Sequence, residues 1–343
     1  MTLIDLRSDT VTKPDKDILQ EALEAELGDD EYGEDPTVNK LQAKCAKLLG
    51  FEDALFVSSG LMGNQISLLI HNTPGSEVIT TSDSHIKNYE HGAASFLSRV
   101  QFREVEHENG VIDIDEIIST FEKSKVNKPN IKTIAVENTH LASGGSIVPY
   151  KHIKNIYELS KQINVKFHID GARVWHAILQ EGSSINYGSV CDSLTFCFSK
   201  ALGAPIGSML LGSKEFIKEA REYRKILGGG TRQVGVIASM ANKALDKRQR
   251  ILEDHIKAKN IYKALIDRHR ENSVFNLKYQ NTNMVFLEFE NNFIANEFIE
   301  KLQKQQVLSG LINKNTVRLV LHKDVLNEEL ETVVEVIYSS SKS

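Results

Sequence analysis

The chemistry in this sequence concentrates on a lysine at the end of an apolar run. Lys200 stands in TFCFSKALGAPIGS, closing a stretch that reads as a strand and opening a turn rich in glycine and proline. An amine is thereby set at the carboxyl edge of a strand, where open α/β sheets carry their sites. A lysine partly desolvated there can lose its proton and add to a carbonyl as a Schiff base. Upstream, FHIDGAR ends a second apolar run in Asp170. Period-two alternation puts His168 and Asp170 on one face of that strand. Asp170 has two readings. It caps a helix beginning at Ala172, or it pairs with a protonated pyridine nitrogen, as when a pyridoxal ring acts as an electron sink.

A third element is SSGLMGN, after a short apolar strand. Gly60 and Gly63 permit close backbone approach, and the helix that follows offers N–H groups to an anion. A nicotinamide site would need GxGxxG after a strand. The dense glycine run here, 228–230, follows a helix instead, which argues against a dehydrogenase. Composition narrows the classes further. The 343 residues are 41% hydrophobic and 25% charged, an ordinary globular balance for two domains or a large one carrying a smaller. No uncharged apolar run approaches the roughly 18 residues of a membrane span. A net charge of −5 leaves no basic footprint for nucleic acid or acidic lipid. Cys45, Cys191 and Cys197 cannot all pair and show no CxxC spacing. The N-terminus has no apolar signal core, so a cytoplasmic location is expected. No metal site is assigned.

These groups must be positioned by alternating helical and strand patterns, which predict an α/β fold with a mainly parallel sheet. Strand patterns cover Ala54–Val57, Glu77–Thr80, Val100–Val105, Ile131–Val136, Val165–Asp170, Ser193–Phe198 and Ser208–Leu211, expected to form one large sheet. Asp35 and Pro36 open a helix whose apolar stripe is Val38, Leu41, Cys45 and Leu48, and Gly50 closes it. Gln65–Ile70 reads as helix. Lys214–Leu227 and Val234–Arg270 are charged helical stretches. The tail alternates strand (Met284–Phe289), helix (Ala295–Gln305), strand (Val317–Leu321) and helix (Leu326–Ile337), the pattern of a small C-terminal α/β domain. The expected division is an N-terminal segment (1–30) contributing to the site, a large cofactor-binding domain (31–245) and a small domain (246–343).

The blocks DLRSDTVTKP, GDDEYGEDPTVNKLQ, ENTH with SGG and VP after it, HIDGAR, SKALGAPIGS, RKILGGGTRQ, TNMVF and RLV-H occur in order along essentially the whole chain. Together they resemble the threonine aldolase family, pyridoxal 5'-phosphate enzymes of the aspartate-aminotransferase fold. The resemblance implies that Lys200 carries the cofactor as a Schiff base, Asp170 pairs with its ring nitrogen and His85 lies over the ring. It further implies that Gly60 and Leu61 offer backbone N–H groups to the phosphate and that Arg232 is its cationic partner. Arg173, also placed among the cofactor-binding residues, and Arg318 are candidates to grip the substrate carboxylate, with Ser8 adding a hydroxyl; a structural salt bridge is the alternative for each arginine. Arg318 is the sharper case, because it interrupts an apolar strand where an unpaired charge is costly. His85 and His140 remain alternative bases for the β-hydroxyl proton.

The activity implied is cleavage of threonine, allo-threonine or related β-hydroxy-α-amino acids to glycine and an aldehyde. The alternative is β-elimination on the same fold, releasing pyruvate and ammonia. A catalytically silent scaffold is disfavoured by the retention of Lys200, Asp170, Arg173 and Arg318 together. Resemblance also implies a homo-oligomer, dimer or tetramer, with Tyr32 reaching a neighbour's cofactor. Four positions depart from the family pattern: Leu61, Leu141, Thr231 and Leu321. The three leucines each replace a polar side chain, predicting a more apolar pocket that tolerates bulkier substrates such as phenylserine.

Overall fold

A computed structural model describes residues 3–125, 128–182, 185–268 and 274–341. Seven strands form the large sheet: β1 (Asp53–Val57), β2 (Glu77–Thr81), β3 (Gln101–Val105), β4 (Ile131–Glu137), β5 (Lys166–Asp170), β6 (Ser193–Cys197) and β7 (Ser208–Gly212). Each lies within about a residue of its apolar run. Their order is β1-β7-β6-β5-β4-β2-β3, and every pairing is parallel except those of β7, which runs against both neighbours. All five residues of β2, β6 and β7 are buried. Strands covered on both faces read as apolar runs, whereas β3 at the sheet edge (QFREV) keeps exposed polar residues.

The Pro36–Leu49 helix forms where its signals predict: the Asp35 carboxylate accepts the Val38 N–H at 3.0 Å, Gly50 ends it at φ 76°, and Cys45 is fully buried. The apolar stripe, however, closes on the buried Leu49, because Leu48 is turned outward and 37% exposed. Asp35 also accepts the N–H of Gly235 at 2.9 Å, tying this helix to the one at Gly235–Asp246. The next helix spans Gly60–His71, five residues earlier than its apolar pattern, because Ser59 caps it by accepting the Met62 N–H at 3.1 Å. The SSGLMGN glycines therefore lie in a helical first turn. The helix expected from Ala172 begins at Val174 instead. The long Val234–Arg270 stretch divides into Gly235–Asp246, a 3-10 turn at Arg248–Arg250 and Ile251–Arg268, its last two residues lying outside the described ones.

Beyond that break a second apolar cluster forms around an antiparallel sheet ordered Phe275–Tyr279, Met284–Phe289, Thr316–Val320, Gly310–Leu311. The strand at Phe275–Tyr279, outside the predicted set, alternates apolar and polar residues (FNLKY) in place of an apolar run. Helices Ile251–Arg268, Asn292–Lys304 and Leu330–Ser341 pack against this sheet or one another. The last starts four residues later than its pattern, after a 3-10 turn at Asn327–Glu329. The N-terminal segment joins this cluster as well. Ile4–Asp5 pairs in parallel with Val307–Leu308, and Ile4 and Leu6 are buried in it. The segment then crosses to the large sheet, where Asp9, fully buried, takes a two-point ion pair from Arg173 (Nε 2.9 Å, Nη2 2.6 Å). Among the described residues no helix is long and apolar enough to cross a membrane.

Two stability effects follow. Asp35→Ala removes a cap and strands the buried Gly235 N–H, and should cost about 2–4 kcal/mol. A denaturant midpoint unchanged from wild type would refute that role. Burial alone would raise the Asp9 carboxyl, but the Arg173 guanidinium, helped by Lys200 and His176, holds it well below the usual carboxylate range. A folded-state pKa below the unfolded one stabilises above about pH 4, and that stabilisation is lost as pH falls further. Asp9→Asn should therefore lose about 3 kcal/mol or more at pH 7, leaving Arg173 uncompensated. Its acid unfolding should also be shallower than that of wild type.

Candidate active site

The carboxyl ends of β4, β5 and β6 bring Glu137, Asp170 and Cys197 to one edge of the sheet, and Lys200 follows three residues after Cys197. Lys200 is half-buried, and among the described residues its amine has no hydrogen-bond or ion-pair partner. Asp170 is 3% exposed. Its oxygens accept the Asn64 amide (2.9 Å) and the Ala172 N–H (3.1 Å), so the capping and the ionic readings of this carboxylate are compatible. Burial would raise its pKa. The charges of His85 and Lys200 and the Asn64 hydrogen bond outweigh that and hold it below the usual range.

His168 lies on the same face of β5 and donates to Asn64 Oδ1 at 3.0 Å, fixing which way the amide points. Asn64 Nδ2 then donates both to Asp170 and to Glu90, each at 2.9 Å. Glu90 is 1% exposed and also accepts from Gln65 (2.7 Å) and from His85 Nδ1 (3.3 Å). For His85, burial lowers the pKa, but Glu90, Asp170 and Glu137 together raise it above the ordinary value. Asn64 stands inside SSGLMGN and Glu90 five residues after His85, but nothing in the residue order shows that they meet. The glycines have a packing role: a Cβ on Gly60 would come within 2.8 Å of Cys197 Sγ, and one on Gly63 within 2.6 Å of Thr195 Cγ2. Their absence of side chains lets the helix lie against β6. As the first two helical residues, Gly60 and Leu61 present N–H groups without intrahelical acceptors.

The second histidine sits elsewhere. His140 is fully buried with both ring nitrogens engaged, Nδ1 by Ser143 (2.9 Å) and Nε2 by Thr81 (3.0 Å), with Asp83 at 3.3 Å. Asp83 also meets His107 Nε2 at 2.8 Å. Because His107 Nδ1 accepts the Gly110 N–H (2.9 Å), its Nε2 carries the proton and donates to Asp83.

The two arginines differ in kind. Arg173 has two readings in the sequence, a grip for a carboxylate and a structural ion pair. The second holds: it is committed to Asp9, since a guanidinium buried that deeply needs a counter-charge. Arg318 has no acidic partner among the described residues; its Nε and Nη2 donate to the Arg7 carbonyl (3.2 and 2.8 Å). Burial, with the nearby Arg173, pushes its pKa down to about 10. Ser8 caps the turn at Asp9–Val11. Arg232 is exposed beside Asp29 and Glu31, at 3.9 and 3.6 Å, and Tyr32 is 77% exposed. The leucine departures do not share one pocket. Leu321 is fully buried in the small-lobe cluster, Leu141 packs with Met284, Phe286 and Val320, and only Leu61, 37% exposed, stands at the helix N-terminus. Position along the sequence gave no sign of that separation.

The family described as Beta-eliminating lyase matches residues 5–290. Low-specificity L-threonine aldolase 1 of Arabidopsis thaliana is 37% identical, over 96% of this chain and 94% of its own length. Low specificity L-threonine aldolase of Escherichia coli (strain K12) is 36% identical, over 96% and 97%. In fold, the chain superposes on a threonine aldolase of Leishmania major with a TM-score of 0.80, at 18% identity, covering 98% of this chain and 99% of that one. A match over most of the length, with relatives more than a third identical, means that the chain belongs to the beta-eliminating lyase family.

Proposed function

We propose that this chain is a pyridoxal 5'-phosphate-dependent aldolase that cleaves L-threonine, L-allo-threonine and related β-hydroxy-α-amino acids to glycine and an aldehyde. The observation that carries the reading is the unpartnered Lys200 amine at the sheet edge that holds the buried anionic Asp170. The donor set fits the cofactor's three kinds of polar group: an amine for an aldehyde, a carboxylate for a pyridine nitrogen, and free N–H groups at Gly60 and Leu61 for a phosphate. When bound, the cofactor supplies the electron-poor ring that takes up the electrons of the broken Cα–Cβ bond.

The chain's own residues supply binding, orientation and proton transfer. Asp170 would hold a proton at the ring nitrogen, its own charge held by Asn64 and the Ala172 N–H. Arg318 grips the substrate carboxylate, since it is a guanidinium without an acid of its own, and that grip sets the angle of the Cα–Cβ bond. Arg173 positions the segment carrying Ser8 through Asp9. His85 takes the β-hydroxyl proton. This assignment is favoured over His140 because the side chain of His85 is 30% exposed, whereas both nitrogens of His140 are occupied. Arg232 and Tyr32, both exposed, suit a role at the phosphate or ring of a neighbouring protomer in a homo-oligomer.

Incubation with L-threonine, L-allo-threonine and phenylserine should release glycine and the matching aldehyde, and Lys200→Ala should release neither. Pyruvate and ammonia as the main products would establish β-elimination instead. Arg318→Ala should lower kcat/KM by about 10- to 100-fold, mainly through KM, as loss of a charge-assisted hydrogen bond predicts. An unchanged KM would remove Arg318 from the substrate site.

A further inference from the structure

We infer that Glu90 is the positioning residue of the site: its carboxylate holds the Nδ1–H of His85, leaving Nε2 as the nitrogen free to exchange a proton with substrate. The inference rests on His85 being the base proposed above, and it adds a residue that the motifs did not assign.

Geometry carries it. Glu90 Oε1 lies 3.3 Å from His85 Nδ1 and 2.9 Å from Asn64 Nδ2, while Oε2 is 2.7 Å from Gln65 Nε2. The direction of these bonds is set at Asn64, whose Nδ2 faces two carboxylates and whose Oδ1 faces His168 Nε2. His71 and Ser193 Oγ are 2.8 Å apart, and Ser193 Oγ and His168 Nδ1 are 2.9 Å apart. An amide oxygen only accepts, so His168 carries a proton on Nε2 and gives it to Asn64 Oδ1, and as a neutral ring it accepts from Ser193 at Nδ1. Asn64 must then use its two amide protons on Glu90 and Asp170, which makes both of those oxygens acceptors. Glu90 Oε1 is left to accept from His85 as well, so the imidazole presents its proton at Nδ1.

The charged and titratable groups facing His85 come from several elements. Glu90 and the stacked Tyr89 ring (5.6 Å) follow it in the chain, Glu137 accepts its backbone N–H at 2.8 Å from the end of β4, and Asp170 and Lys200 act through space. Of these, Glu90 is the one in hydrogen-bond contact with the imidazole. The arrangement is that of a carboxylate orienting a basic histidine, which fixes the tautomer and increases basicity.

Glu90→Gln keeps the shape and removes the charge. In histidine side-chain NMR titrations of the full-length protein, with His85→Asn used to assign the signal, His85 should titrate at lower pH in Glu90→Gln than in wild type. It should also lose its preference for the Nδ1–H tautomer. In steady-state assays kcat should fall by about ten-fold or more, its acid limb should move to lower pH, and KM should stay within about three-fold. The visible cofactor absorbance should be retained, and Glu90→Asp should restore part of the rate. An unchanged titration and tautomer of His85 in Glu90→Gln would overturn the inference, as would equal losses in Gln and Asp variants with no movement of the acid limb. A wild-type protein that releases no glycine, but whose His85 titration still depends on Glu90, would sink the aldolase reading and leave the dyad standing.

Discussion

A carboxylate buried to 3% exposure is the constraint around which this molecule is organised. Moving a carboxylate out of water is costly enough that an isolated one would take up a proton. Asp170 escapes that outcome because hydrogen-bond donors and positive charge reach it from separate parts of the chain. The Asn64 amide comes from the helix over the sheet, the Ala172 N–H from the turn after β5, and positive charge from His85 and Lys200. Each supplier is itself held: Asn64 by His168, His85 by Glu90 and Glu137, and the helix by glycines that let it sit against β6. Removing any one of them leaves the charge less compensated, so electrostatics and packing support one another.

The second ionic centre shows how two similar side chains come to differ. Arg173 and Arg318 lie close enough to repel, and one acid, Asp9, serves Arg173 directly. Arg318 is left with a backbone carbonyl, enough to orient it and too little to neutralise it. A carboxylate ligand would complete the balance. The segment that supplies Asp9 pairs first with a strand of the small lobe and then runs over to the large sheet, so this balance depends on both lobes.

Much of this was legible in the residue order. Seven strand patterns predicted seven strands; central ones such as Ser193–Cys197 and Ser208–Gly212 are buried throughout because both faces are covered, whereas the edge strand Gln101–Val105 keeps exposed polar residues. Helix ends were visible where a cap was a local matter, as at Asp35 and Gly50. The Phe275–Tyr279 strand lies outside the predicted set because FNLKY alternates apolar with polar residues, and the start at Gly60 lies outside the apolar pattern because Ser59 and two glycines carry no apolar period. Family resemblance picked out Lys200, Asp170, His85 and Arg318, residues whose types announce their chemistry.

Partnership was not legible. Sequence determined that a lysine and an aspartate would end adjacent apolar strands, since strand length and period are local properties of the chain. Only the folded chain decided that Asp9 would claim Arg173 and leave Arg318 without an acid among the described residues, that Asn64 would bridge Asp170 to Glu90, and that Leu321 would fall into a lobe's core. These are contacts between residues 26 to 164 positions apart, or a choice of face. Hydrogen bonds and ion pairs act over a few ångströms, and which groups come that close is set by how helices and sheets pack.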